Sequence, residues 1–282
     1  MHFRGKARWF VLLLAIALVL IGVGAYLSVP RSYVLMSTTT SVRDTGLLPH
    51  LLPEFQADSG IEVRYTAVGT GQALDAGRRG DVDVVFVHAP NLEAAFVADG
   101  DGRCRNPVMY NRFVIVGPAS DPAGISNATT VVEAFTRIHD TASRFESRAD
   151  NSGTNNKELA LWSLAGLDPA TFGAWYEKTN QGMGSTLTIA NERGAYTLSD
   201  DGTWYALESG LGFLQILYDQ DEPDLRNQYS VIPVNPATHP AVHAEDALTF
   251  AHWMVRPRAQ SLIAAFQING HTIFTPNGQE MC

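Results

Sequence analysis

Hydrophobic residues along this chain form two kinds of pattern that alternate with each other. Residues 61–68 alternate between apolar and polar positions, and residues 82–87 are almost entirely apolar, and both patterns are typical of strands. Residues 47–57 carry apolar side chains at the spacing of a helix. Strands separated by helices of this length predict a mostly parallel sheet that is covered on both faces.

The same patterns assign an element to most of the chain. Strands are predicted at Tyr33–Met36, Ile61–Val68, Val82–Val87, Phe113–Gly117, Arg144–Ser147, Tyr196–Leu198, Leu214–Tyr218 and Tyr229–Val234. Helices are predicted at Leu47–Ala57, Gln72–Arg79, Asn91–Ala98, Val131–Ile138, Asn155–Ala165, Phe172–Lys178, Leu187–Arg193, Ala244–Met254 and Arg258–Phe266. These form two α/β sets without a long flexible linker, which predicts two lobes joined by short crossings.

The first thirty residues differ from the rest of the chain. Arg4, Lys6 and Arg8 form a basic stretch, and residues 9–27 then contain no charged side chain. This run is close to the roughly 20 residues that span a bilayer, and longer than the usual apolar part of a secretory signal. We therefore interpret residues 1–30 as a Sec-type export signal or N-terminal membrane anchor, with the remaining chain on the periplasmic or extracytoplasmic side.

Charge and cysteine content exclude several classes of function. The formal net charge of -9 argues against a nucleic-acid or anionic-membrane binder, because both need clustered Lys and Arg. No cysteine or histidine motif with metal-ligand spacing is present, so we expect no metal site and no cofactor. The two cysteines, Cys104 and Cys282, lie in dissimilar contexts, and a free Cys104 is the expectation.

Three loops at strand-to-helix junctions carry the candidate chemistry. The first is Ser37–Ser41, five consecutive hydroxyl residues between a strand and a helix start. Unpaired amides and the positive end of the helix dipole make such a junction suitable for an anion. An ordinary N-cap in a Ser/Thr-rich turn explains the same residues.

The second loop, Val68–Gln72, places Gly69, Thr70 and Gly71 between a strand and a helix. It matches neither the dinucleotide-binding nor the P-loop pattern, which argues against a nucleotide site. Backbone amides could still bind a small anion there, and a tight turn that needs glycine is the alternative.

The third loop, Arg148–Thr154, combines one arginine with Ser152, Gly153 and Thr154 at a helix start. Arg148 can bind an oxyanion through two parallel N–H bonds, or can form a surface salt bridge with Asp150. Ligands of open α/β sheets bind at the carboxyl ends of strands, where all three loops lie. Together they suggest a tetrahedral oxyanion held between the two lobes.

Catalytic interpretations have less support. Ser41 and Ser152 are possible nucleophiles, but there is no G-x-S-x-G elbow and no histidine in an interpretable motif near either serine. His88, which follows the strand at 82–87, is the best isolated candidate for acid–base work, although loop histidines more often have no such role.

Several segments together resemble the tungstate-binding proteins of bacterial ABC importers. They are STTTS at 37–41, DTGLL at 44–48, VGTG at 68–71, GDVDVVFVHAP at 80–90, PVMYNRFVIVG at 107–117, DNSGT at 150–154 and NERGAYTL at 191–198. The resemblance extends from about Val34 to Phe274. It implies a periplasmic-binding-protein-like (type II) α/β fold, with mixed, mostly parallel sheets in two lobes that close on a hinge around one tungstate. We expect lobe 1 at residues 31–116 and 235–282, and lobe 2 at 117–234.

The resemblance also implies the site and the partners. Carried over position by position, the oxyanion contacts are Thr39, Thr40, Ser41, Gly69, Thr70, Arg148, Ser152 and Thr154. Arg148 resembles the arginine that supports discrimination among oxyanions. The family commonly has RGDDSGTH in the third loop, whereas this chain has Ala149, Asn151 and Asn155. An ABC permease and ATPase are the implied partners, and we expect a monomer.

Two hypotheses from different classes follow. The first is a solute-binding protein for tungstate, with molybdate second, that performs no covalent chemistry. The second is an exported hydrolase of phosphate or sulfate esters, with Ser41 or Ser152 as nucleophile. Binding of another oxyanion also stays open, because Asp44 and Asp150 could accept the proton of hydrogen phosphate. The preference for tungstate rests on the resemblance alone.

Overall fold

The computed structural model describes residues 32–282, so the export signal predicted at residues 1–30 lies outside the described residues. We number its elements in chain order. The strands are β1 Tyr33–Thr39, β2 Glu62–Val68, β3 Val84–Val87, β4 Asn106–Pro118, β5 Phe145–Ser147, β6 Tyr176–Lys178, β7 Thr197–Asp200, β8 Leu214–Tyr218, β9 Arg226–Pro233, β10 Gln267–Ile268, β11 His271–Thr272 and β12 Thr275–Pro276. The helices are α1 Thr40–Asp44, α2 Leu47–Ser59, α3 Thr70–Arg78, α4 Pro90–Ala98, α5 Val131–Asp140, α6 Gly153–Leu164, α7 Met183–Arg193, α8 Asp201–Leu207, α9 Ala244–Val255 and α10 Pro257–Ala265.

An eight-stranded mixed sheet forms the centre of the fold, with the order β12-β4-β9-β3-β1-β2. Strand β1 pairs in parallel with β2 and β3, whereas β9 lies antiparallel between β3 and β4. The last residues of β4, from Phe113 to Pro118, pair antiparallel with β7 and β8 instead. The sheet is therefore mixed, as predicted, with more antiparallel pairing than the alternating strand–helix pattern indicated.

Helices cover both faces of the sheet because successive strand residues point to opposite sides. In β3, Val84 and Phe86 pack in one core cluster with Leu51 of α2 and Phe250 of α9. Val85 and Val87, which point to the other face, join a second cluster with α3 and α4. The same alternation recurs in β4, where Phe113 and Ile115 pack with α5 and α6, while Val114 and Val116 pack with α7 and α8.

Two core clusters therefore lie on opposite faces of the sheet around β1–β3, and two others lie on opposite faces of the end of β4. Strand β9, whose residues 226–233 fall within the predicted lobe 2, hydrogen-bonds between β3 and β4. The lobe boundaries at residues 117 and 234 stay a prediction.

Within residues 32–282, every helix is too short or too polar to cross a membrane.

Two sequence-based expectations are wrong. Residues 172–178 do not form a helix: Pro169–Thr171 is a 3₁₀ turn, and β6 pairs in parallel with β5. Phe172 and Trp175 have the spacing of a helix face, but they pack around the ring of Trp162, with centroids 4.9 Å apart for Phe172 and 6.2 Å for Trp175. Tertiary packing of these aromatic side chains replaces the helix that their spacing predicted.

Cys104 is not free but forms a disulfide with Cys282, whose Cα atom lies 5.8 Å away. The C-terminal segment runs back along β4: Gln279 N–H donates to the Pro107 carbonyl, and Met281 N–H donates to Oδ1 of Asn106. These bonds bring together two cysteines that are 178 positions apart, which their sequence context did not reveal.

Candidate functional site

The first predicted loop is a helix start, as expected. Thr39 ends β1 and caps α1, and its Oγ1 accepts the Val42 N–H at 3.4 Å. The Ser41 Oγ lies 3.0 Å from the Thr39 Oγ1, and both side chains are buried. Thr40, between them, is partly exposed and begins the helix.

The third loop places Arg148 inside the molecule. Its side chain is 3% exposed, and its Nη2 donates to Asp150 Oδ2 at 2.6 Å. Its Nε donates to the Gln181 carbonyl at 3.3 Å, and its Nη1 donates to Thr154 Oγ1 at 3.4 Å. The predicted alternative of an Arg148–Asp150 salt bridge is thus present, but it is buried rather than on the surface.

The second and third loops contact each other directly. The Gly153 N–H, in the first turn of α6, donates to Thr70 Oγ1 at 3.1 Å. A Cβ at Gly71 would lie 2.8 Å from Nδ2 of Asn151, and one at Gly69 would lie 3.7 Å from the Asp150 carbonyl. A side chain at position 71 would force the Asn151 side chain to move, whereas one at position 69 would make only an ordinary contact. Gly71 and the Gly153–Thr70 hydrogen bond thus accompany the close approach of the N-termini of α3 and α6.

A fourth helix start joins the three that the sequence indicated. Gly182 precedes α7, and a Cβ there would lie 3.8 Å from Thr40 Oγ1. Gly69 and Gly182 make no side-chain cap hydrogen bond, so the first-turn amides of α3 and α7 have no capping side chain. The glycine before residues 183–193 was the available sequence signal, but the predicted helix there began at Leu187.

Hydroxyl groups in this region are oriented by N–H donors. Ser152 Oγ accepts the Asn155 N–H at 3.2 Å, Thr70 Oγ1 accepts from Gly153, and Thr154 Oγ1 accepts from Arg148. Each of these bonds uses a lone pair of the oxygen and leaves the hydroxyl hydrogen available. Such hydroxyls can donate to an oxyanion while remaining fixed in place.

His88 is a site residue that the sequence did not connect to the others. Its Nε2 lies 3.0 Å from Ser41 Oγ, and its Nδ1 lies 2.8 Å from Asn227 Oδ1. No sequence motif links a histidine to either candidate serine, yet the fold places His88 beside Ser41. Positions 41, 88 and 227 are far apart in the chain, and the pairing of β3 with both β1 and β9 brings them together.

Burial dominates the electrostatics of His88. The side chain is 3% exposed, and its ring stacks on that of Tyr229 with centroids 4.8 Å apart. Loss of solvent lowers the pKa of His88 to about 4, with the negative charge of Asp200 opposing this effect and the positive charge of Arg148 adding to it. The imidazole is therefore neutral at pH 7, and a weak base.

All eight predicted contact residues lie in this one region, where Arg148 contacts the starts of α6 and α7 and these lie against the starts of α3 and α1. Asp44, considered as an acceptor, instead pairs with Arg43 at the surface.

Beside the region, a cavity of about 250 Å³ is lined by residues that include His88, Phe113, Gly153, Lys157 and Asn227. Among residues 32–282, no group of three or more His, Cys, Asp or Glu could hold a metal ion. The arrangement suits an anion that accepts hydrogen bonds from many sides.

Comparison with known proteins identifies the family. The model of the PBP superfamily domain matches residues 28–258. The tungstate-binding protein TupA of Peptoclostridium acidaminophilum is 45% identical over 251 residues, which cover 88% of this chain and 86% of that protein. The chain belongs to the TupA family of the PBP superfamily.

Solved TupA-family structures share both the fold and the sequence. The tungstate-binding protein TupA from Desulfovibrio alaskensis G20 is 46% identical, with a TM-score of 0.77, and the match covers 88% of this chain and all of that one. The tungstate ABC transporter structure from Geobacter sulfurreducens is 47% identical, also with a TM-score of 0.77, and covers 83% of this chain and 98% of that one. The periplasmic-binding-protein fold expected from the resemblance is thus confirmed.

Proposed function

We propose that this protein is an extracytoplasmic solute-binding protein that captures tungstate, with molybdate second, and delivers it to an ABC permease and its ATPase. The observation that carries this proposal is the buried guanidinium of Arg148 at the starts of α6 and α7, which in turn lie against the starts of α3 and α1. Relatives that are named as tungstate-binding proteins support the choice of anion. The protein works as a monomer in the periplasm and performs no covalent chemistry.

The contacts to the oxyanion come from the eight predicted residues. Thr39, Thr40, Ser41, Gly69 and Thr70 line one side, and Arg148, Ser152 and Thr154 line the other. A fully deprotonated tetrahedral dianion can only accept hydrogen bonds, so hydroxyls that are already held by N–H donors complement it. Lobes 1 and 2 close around the anion, with residues near the middle of β4 and the start of β9 as the hinge, because both strands run between the two pairs of core clusters.

Hydrolysis is the competing function, because Ser41, His88 and Asn227 have the order of a nucleophile, a base and an orienting group. The low pKa of His88 makes it a weak base near pH 7, which disfavours activation of Ser41 for attack on an ester. Incubation with p-nitrophenyl phosphate and p-nitrophenyl sulfate should therefore release no p-nitrophenol beyond a Ser41→Ala control.

Calorimetry with tungstate, molybdate, sulfate and phosphate tests the proposal directly. We expect saturable binding of tungstate and a higher melting temperature in its presence, since a ligand that binds the folded state stabilises it. Arg148→Lys keeps the charge but loses the planar fork, so tungstate should bind at least tenfold more weakly, about 1.4 kcal/mol. Arg144→Lys, at an exposed position, is the matched control. Tight phosphate binding without a tungstate signal would contradict the proposal.

A further inference from the structure

A buried chain of hydrogen bonds leads from the site to two carboxylates. It runs from Ser41 through His88 to Asn227, as described above. Asn227 Nδ2 donates to Asn111 Oδ1 at 2.8 Å, and Asn111 Nδ2 donates to Asp201 Oδ1 at 2.7 Å and to Asp200 Oδ1 at 3.4 Å. All these side chains are at most 5% exposed, so water does not interrupt the chain.

The carboxylates fix the direction of every bond in this chain. Burial raises the pKa of Asp201 to about 7, but its Oδ1 can accept from Asn111 in either protonation state, so the amide nitrogen of Asn111 faces Asp200 and Asp201 and its carbonyl oxygen faces Asn227. Asn227 Nδ2 gives one hydrogen to Asn111 and the other to the Tyr229 hydroxyl at 2.9 Å. Its Oδ1 therefore remains as an acceptor, and His88 must carry a hydrogen on Nδ1.

This tautomer decides what Ser41 can offer to a ligand. A neutral imidazole with a hydrogen on Nδ1 has a lone pair on Nε2, which accepts the Ser41 hydroxyl hydrogen. Ser41 then has only lone pairs for the site, and these repel an oxyanion. Once Nε2 is protonated, it donates to Ser41 Oγ, and the Ser41 hydrogen can then point at the ligand, with Thr39 Oγ1 at 3.0 Å as the competing acceptor.

The charges around His88 favour such a protonation when a dianion enters. Arg148 is the cation that faces the ring, Asp200 is the opposing carboxylate, and Tyr229 stacks on it as a neutral phenol. Asp150 neutralises Arg148 through their salt bridge, and Asp201 adds a second carboxyl at the end of the chain. Arg148 is therefore paired with Asp150, and Asp200 and a partly protonated Asp201 provide the remaining carboxyl groups before a dianion binds.

We propose that His88 is a positioning residue that takes up one proton when the dianion binds, and that this proton converts Ser41 from a hydrogen-bond acceptor into a donor. The inference rests on the proposed function. The ring is neutral in the free protein, and the negative charge of the ligand raises its proton affinity in a buried setting where charges interact strongly. The cavity lined in part by His88 provides a route for the proton.

The consequence is a pH-dependent affinity. If one proton is taken up with each anion, the affinity for tungstate rises about tenfold for each unit by which pH falls, between the pKa of His88 in the free protein and that in the complex. A site that bound the dianion through donors already in place, without taking up a proton, would show no such dependence of affinity on pH.

Calorimetry of tungstate binding at pH 6.5, in buffers with different heats of ionisation, measures the number of protons taken up. We expect close to one proton for the wild type and for His50→Gln, a control at an exposed position. His88→Gln, which can donate to Ser41 without a proton from solvent, should bind with no uptake and with a flat pH profile. Uptake that persists in His88→Gln, or is absent from the wild type, would overturn the proposal.

Nitrogen NMR of the wild-type histidine rings gives a second test that does not depend on how the variant folds. Nε2 of His88 should be unprotonated in the free protein and protonated in the tungstate complex. A ring that stays neutral in the complex would overturn the inference while leaving the proposed function intact. A complete lack of tungstate heat would overturn the proposed function, and this inference with it.

Discussion

At the scale of single residues, the protein contains buried carboxyl groups that accept hydrogen bonds from several donors. Glu158, on α6, accepts from Ser147 Oγ at 2.7 Å, from Trp162 Nε1 at 3.2 Å and from the Tyr176 hydroxyl at 2.6 Å. Burial nevertheless raises the pKa of Glu158 to about 7, because desolvation outweighs these bonds. Glu158 thus joins the third loop to the aromatic cluster around Trp162 and makes stability sensitive to pH.

The sign of this pH dependence follows from the raised pKa. The pKa of Glu158 is about 7 in the folded protein, so the proton is kept up to about that pH, whereas the unfolded chain loses it near the ordinary glutamate pKa of 4.5. The stability contributed by this group is therefore present below about pH 4.5 and lost as pH rises to 7. Glu158→Gln should gain about 2–3 kcal/mol relative to wild type between pH 5 and pH 8.

Urea unfolding at the two pH values measures this difference. Gln can accept from Trp162 and Tyr176 through its oxygen and can donate to Ser147, so the substitution preserves the local bonds. The exposed Glu192→Gln provides the control and should show no change between the two pH values. Parallel stability curves for Glu158→Gln and wild type would show that Glu158 is already ionised at pH 5.

Helix N-termini are the elements that build the site, and their close approach depends on glycine. A Cβ at Gly153 would lie 2.8 Å from Cε1, Nδ1 and the carbonyl oxygen of His88. Both the ring and the backbone of His88 are fixed by neighbours, so neither can yield easily. The first turn of α6 is held against His88 because residue 153 has no side chain.

Gly153→Ala should therefore destabilise the protein by about 1–3 kcal/mol and weaken tungstate binding, since overpacking displaces α6 from the site. Gly184→Ala is the matched control in the first turn of α7, where a Cβ would meet only Cδ1 of Leu207 at 3.2 Å, the end of a flexible side chain. Urea unfolding and calorimetry check both variants. Equal stability of the two would mean that His88 moves aside at little cost.

Sequence patterns predicted elements better than they predicted contacts between elements. The helix ends at Gly60 and Gly166 and the start of α10 at Pro257 were predictable, because a positive φ and a proline at the first turn act locally. The helix at 172–178 failed because packing against Trp162 decided the local structure. The three donor loops were predictable as helix starts at the carboxyl ends of strands, whereas the contacts of His88 with Ser41 and Asn227 were not.

At the scale of the whole molecule, the sequence patterns did not reveal which segments pair when they are far apart in the chain. His88 reaches Asn227 because β9 pairs with β3, and no local pattern specifies which strand lies between β3 and β4. The disulfide was missed for the same reason, because Cys282 reaches Cys104 through pairing of the C-terminal segment with β4. The family resemblance supplied the fold that periodicity alone could not.

Removal of the disulfide tests how much the C-terminal segment contributes to global stability. The Cys104→Ser, Cys282→Ser double variant should lose about 2–4 kcal/mol, because the bond closes a long loop. Tungstate affinity should not change, since the site lies on loops of other elements. Urea unfolding with and without reductant measures the effect, and the double variant, which has no cysteine to reduce, is the control. Equal stability of oxidised and reduced wild type would contradict this expectation.

The position of β9 has a consequence for how the chain acquires its structure during synthesis. Residues 226–233 form the strand between β3 and β4, so the sheet lacks an inner strand until more than four-fifths of the 282 residues have been made. Long-range pairing of this kind slows folding. A chain emerging from the ribosome therefore stays without a complete core until most of its residues have been made, so folding of the whole sheet follows synthesis rather than accompanying it.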